Sequence, residues 1–98
     1  MRMVMTVLEA HVERDQWATL EQAYKAASEG GRPPQMVRTV LVQSLAEPTL
    51  WRAIAVWRSR EALDEYRASV DTPAGVQMFR RAGAEPSMSM FEVVAQSP

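Results

Sequence analysis

Ninety-eight residues with 47% hydrophobic and 23% charged side chains suit one globular domain built on a single core. The 11 basic and 12 acidic side chains nearly cancel and are scattered along the chain, so bulk charge recruits neither a nucleic acid nor a membrane surface. There is no cysteine, which excludes disulfides, thiolate metal sites and thiol nucleophiles and leads to the expectation of a reducing, cytoplasmic setting.

The first predicted element is a strand from Arg2 to Val12, rich in apolar and β-branched residues and free of Gly and Pro. Thr6 and Glu9 interrupt its apolar run, which is too short for a signal peptide or a membrane span. Asp15 is the expected N-cap of a helix whose apolar stripe is Trp17, Leu20, Tyr24 and Ala27. Gly30 and Gly31 supply its C-terminal cap, and Pro33 and Pro34 prevent its continuation. Met36 to Leu45 and Leu50 to Trp57 read as two strands joined by a hairpin at "AEPT". Ser59 is expected to cap a short helix with Leu63, Tyr66 and Val70 inward, and Thr72 followed by Pro73 to open another that Gly83 closes. Ser87 to Ala95 reads as the last strand.

Strand, helix, strand, strand, helix pair, strand is the order of an α+β, ferredoxin-like split βαβ arrangement, with a four-stranded antiparallel sheet and all helices on one face. One domain spans residues 1–98, since no linker, repeat or low-complexity tract divides the chain. The third strand, "LWRAIAVW", is apolar on both sides: Leu50, Ile54 and Val56 flank Arg52 on one, and Trp51, Ala53, Ala55 and Trp57 form the other. A half-solvated strand would alternate apolar and polar residues. Helices can cover only one of these faces, so a second copy of the chain is expected to cover the other, giving a homodimer by sheet-to-sheet packing.

The stretches "AVWRSREALDEYRAS", "FRRAG" and "MSMFEVV", placed after "MTVLEAHVERDQWATLEQAY", resemble the antibiotic biosynthesis monooxygenase (ABM) domain over about residues 3–95. The most recognisable part is Trp57 at the end of the third strand, followed by Ser59, Arg60 and Glu61. The resemblance implies a dimeric α/β barrel and a family that includes cofactor-free oxygenases, quinol oxygenases, haem-degrading enzymes and isomerases. In the haem-degrading branch a Trp at the position of Trp57 lines the pocket, together with an Asn on the first strand and a His after the third. This chain has no Asn, and its only His is His11, so it carries the aromatic wall without the usual polar partners.

Trp51, Ala53, Ala55 and Trp57 share a face on which the two alanines leave room for a flat apolar ligand. About 20 Å separates the two Trp α-carbons at about 3.3 Å per residue, so one ligand meets one of them, and the resemblance favours Trp57 over Trp51. Glu9 and His11 share a face of the first strand, where a carboxylate could orient an imidazole as a general base, or where two polar groups simply end a strand. Tyr66 is a candidate to hold a substrate oxygen from the helix edge and also a core residue by spacing. Arg38 and Arg52 could meet an anion or a carboxylate at the dimer edge, and the seven Met residues suit a yielding core. No phosphate-binding loop, metalloprotease motif, calcium loop or nucleic-acid signature is present, so no metal site is expected. The functional expectation is a cofactor-independent monooxygenase acting on a small electron-rich aromatic, such as a phenol, a hydroquinone or a polyketide-like molecule. Its catalytic groups are His11 and Glu9, and its substrate-binding groups are Trp57, Tyr66 and Trp51. The alternative is a non-catalytic ligand-binding or dimerisation module of the same fold, or an isomerase or cyclase.

Overall fold

A computed structural model describes all 98 residues. Its strands are β1 (Val4–His11), β2 (Met36–Gln43), β3 (Leu50–Trp57) and β4 (Ser87–Glu92), and its helices α1 (Trp17–Glu29), α2 (Arg60–Ser69) and α3 (Ala74–Arg81). The strands pair antiparallel in the order β2-β3-β1-β4, the ferredoxin-like topology expected from the element order. No helix is long and apolar enough to cross a membrane.

Pairing decides which side chains share a face. Val4, Thr6, Leu8 and Ala10 of β1 lie opposite Trp57, Ala55, Ala53 and Trp51 of β3, and this set faces the helices. Two clusters fill that side. At one end Trp51 packs with Val12, Leu20, Met78 and Phe79, and at the other Trp57 packs with Val4, Leu63 and Tyr66. The opposite face carries Met5, Val7, Ile54 and Val56, with Val40, Val42 and Phe91 exposed beside them. A β-bulge between Met36 and Arg38 shifts β2 by one residue, which sets Met36 against Trp57 and Arg38 against Val56.

Local sequence signals explain most of the boundaries, with three corrections. Ser59 caps α2 as expected: its Oγ accepts from the Ala62 amide at 3.0 Å. Asp15 does not cap α1. It lies within a 3-10 turn, Arg14–Gln16, and the helix starts at Trp17, whose indole N–H donates to the Val12 carbonyl at 2.9 Å and so draws the chain around that corner. Proline 73 occupies the cap position of α3 instead of its first turn, because its ψ of 144° is extended, and Thr72 lies one residue outside. The left-handed residue after α1 is Gly31, at φ 88°, while Gly30 remains right-handed. Replacing Ser59 with Ala should destabilise the protein by about 1 kcal/mol, read as a lower denaturant midpoint at unchanged slope.

Candidate active site

The two clusters do not meet in the middle of the sheet. Between them lies a cavity of about 570 Å³ with 13 hydrophobic residues among the 23 in its wall. Its floor is Ala53 and Ala55 of β3 with Thr6 and Leu8 of β1, so the two alanines leave the space that their small side chains promised. Larger side chains at those positions would merge the clusters into one core.

One end wall is aromatic. Trp57 and Tyr66 stack at a tilt with ring centroids 5.0 Å apart, both nearly buried. The Trp57 indole N–H donates to Thr6 Oγ1 at 3.0 Å, which leaves Trp57 only its ring to offer a ligand. Tyr66 differs. Its phenol oxygen accepts the Ala74 amide at 3.1 Å, and its own O–H has no acceptor in the chain, so a donor stands free at the wall. This hydrogen bond from the Ala74 N–H ties the phenol to the first turn of α3 and holds it in place.

The roof comes from α3 and the end of α1. Gly75 passes so close to the floor that a Cβ there would come within 2.7 Å of Leu8 Cδ1. On the β2 side, Tyr24 donates to the Thr39 carbonyl at 3.1 Å, pinning α1 across the sheet next to Gly31 and Arg32. Arg67, in the last turn of α2, closes the β4 side, where its guanidinium reaches Met88 Sδ and, at 3.8 Å, Met90 Sδ.

The structure brings Trp57 and Tyr66 together and leaves the other expected site residues elsewhere. Trp51 lies in the other cluster, edge-on to Trp17 at 6.0 Å, with its indole N–H buried and unpartnered. It is a core residue and not part of the cavity wall. Glu9 and His11 point to the opposite face of the sheet, because their parity on β1 is that of Met5 and Val7. They form no hydrogen bond with each other. Glu9 is held by the Arg52 guanidinium across the strand pair, and His11 Nδ1 lies 3.0 Å from Thr49 Oγ1 at an exposed edge. The expected carboxylate-oriented imidazole is therefore absent from the pocket, and no Asp, Glu, His or Cys lines the cavity at all. Nor do three such side chains gather anywhere as a metal-binding group. Sequence reasoning passed over Thr6, Gly75 and Arg67, all of them wall residues.

Residues 3–82 match the model of a family described as antibiotic biosynthesis monooxygenase. Among solved structures, a variant of SnoaB, a cofactor-independent oxygenase from Streptomyces nogalater, superposes with a TM-score of 0.74 at 21% identity, over 100% of this chain and 99% of that one. A conserved protein from Methanosarcina mazei gives a TM-score of 0.73 at 14% identity, over 93% of this chain and 92% of that one. A conserved protein of unknown function from Bacteroides thetaiotaomicron gives 0.70 at 15% identity, over 93% and 97%. At these identities the likeness establishes the fold. No curated protein matches the sequence.

Proposed function

This chain belongs to the antibiotic biosynthesis monooxygenase family, and from that premise we propose that it is a cofactor-independent monooxygenase whose substrate is a small electron-rich aromatic held in the cavity over Ala53 and Ala55. The observation that carries the reading is the cavity itself: flat-floored, mostly apolar, and closed at one end by the Trp57 and Tyr66 rings. The description of SnoaB as a cofactor-independent oxygenase supports the reading by analogy of fold.

In the proposed reaction a ring CH2 flanked by phenols takes up dioxygen. One oxygen atom becomes the carbonyl at that carbon, and the other leaves as water with the two hydrogens of the CH2. The CH2 carbon gives up the four electrons that dioxygen gains, and ionisation of the phenol is what lets their transfer begin. The chain contributes three things: the Trp57 face orients the ring, the free Tyr66 O–H donates to a substrate oxygen and stabilises charge there, and the apolar wall keeps bulk water from the reacting carbon.

Without a carboxylate or imidazole in the wall, the phenol proton has no protein base to receive it. Turnover should therefore rise with pH through the pKa of the substrate, and a more acidic phenol should move the midpoint by the same amount. Oxygen uptake measured across pH with two such phenols checks this. A midpoint fixed near about 6.5 for both would reveal a histidine base. Replacing His11 with Ala should leave the profile where it was.

The absence of a base is also what favours a second reading, a ligand-binding module of the same fold, which would take up the aromatic and consume no oxygen. For the exposed apolar face of the sheet, the proposal is a second copy of the chain. All three helices are already engaged on the other side, and Met5, Val7, Ile54 and Val56 form a continuous strip across the central strands.

A further inference from the structure

The cavity has a cation that nothing in the chain neutralises. Arg67 is half-buried, it lines the wall on the β4 side, and none of the ion pairs of the chain includes it. Its guanidinium rests instead against the sulfurs of Met88 and Met90, which are weak acceptors. A position in the last turn of α2 suits a cation because of the helix dipole, but the dipole does not call for the side chain to lie across a cavity rim. Arg32 stands on the wall from the loop after α1, and no acidic residue lines the cavity to offset the two cations. The electrostatic character of this otherwise apolar space is positive.

We propose that Arg67 anchors a carboxylate on the substrate, so that the ligand is an aromatic acid whose ring lies over Ala53 and Ala55 and whose anionic group meets the guanidinium at the β4 edge. The inference rests on the reading of the cavity as the ligand site. A guanidinium presents parallel N–H donors that match the two oxygens of a carboxylate, and such a pair exchanges thioether contacts for charge-assisted hydrogen bonds. It also relieves a partly desolvated charge that has no partner in the free protein. The sheet geometry gives the ligand room: from β2 to β4 is three strand spacings, about 14 Å, so a fused-ring acid can reach Arg67 while its far ring stays near Tyr24.

The test uses 2-naphthoate and its uncharged methyl ester, with affinities measured by equilibrium dialysis at pH 7 for the wild type, Arg67→Gln and Ala55→Phe. The expected result is that the wild type binds naphthoate on the order of ten- to a hundredfold more tightly than the ester, the range a charge-assisted hydrogen bond supports. Arg67→Gln should bring naphthoate down to the ester's affinity and leave the ester unchanged, which also shows that the variant is folded. If both probes bind equally to wild type and Arg67→Gln, yet Ala55→Phe excludes both, the cavity is the ligand site and the anion anchor is wrong. If neither probe binds the wild type, or Ala55→Phe affects neither, the cavity reading fails and the anchor fails with it.

Discussion

Ala55→Phe is expected to lower turnover and aromatic binding by on the order of a hundredfold or more while leaving the protein folded. Ala55 sits on the floor of the cavity beside Trp57, opposite Thr6 on β1 and Thr39 on β2. In a close-packed core, added bulk forces neighbours off their rotamers and costs about 1–3 kcal/mol. Here the new ring enters space that the native chain leaves empty, so the strain is small and the apolar gain offsets part of it. The cost falls on the ligand, which loses its place against the Trp57 ring; two powers of ten correspond to about 2.8 kcal/mol of lost binding. Thermal unfolding within a few degrees of the wild type, together with absent turnover, would bear this out. Unchanged turnover would place the chemistry elsewhere.

Ile54→Glu is expected to convert a dimer into a folded monomer. Ile54 lies at the middle of β3 with Val7 of β1 and Val40 of β2 in the same row, on the face away from the helices. Packing a second sheet against that row would bury an unpaired carboxylate from each copy, at several kcal/mol apiece. The core clusters, which draw on the other face of β3, should be untouched, so far-UV circular dichroism should persist. Sedimentation at micromolar concentration should give twice 11.0 kDa for the wild type and 11.0 kDa for the variant. A wild type that sediments as a monomer would remove the second copy from the account.

The span of β3, the Ser59 cap and the space above the two alanines were all legible in the sequence, because each depends on a local signal: residue period, capping chemistry or side-chain size. The partition of the two tryptophans was not. Trp51 and Trp57 share a face, and only the placement of Trp17 at the start of α1 shows that Trp51 is taken up by the core. Glu9 and His11 went astray for a different reason. Their spacing does place them on one face, but which face lines the pocket depends on register with β3, a long-range fact. A signal was nonetheless available: Val4, Thr6, Leu8, Ala10 and Val12 carry no charge, whereas both charged or ionisable side chains of the strand have the other parity. Nothing in the sequence marks Arg67, and only the position of β4 beneath it reveals its place at the cavity rim.

Hydrogen bonding from Arg80 holds the Glu85 carboxyl below the usual carboxylate range and joins the end of α3 to the loop before β4. Whatever that exposed pair adds is present above the ordinary carboxylate pKa and is lost as pH falls through the lowered one.

The claim that the cavity is a cofactor-free oxygenase site is tested most directly with an oxygen electrode, using purified protein stripped of metals and cofactors and a panel of polycyclic phenols that carry a ring CH2 between their phenolic rings, wild type beside Ala55→Phe. The account predicts oxygen uptake above the uncatalysed rate by the wild type and uptake at the uncatalysed rate by the variant. Equal uptake by the two proteins, or none above background by the wild type on substrates that bind it, would contradict it.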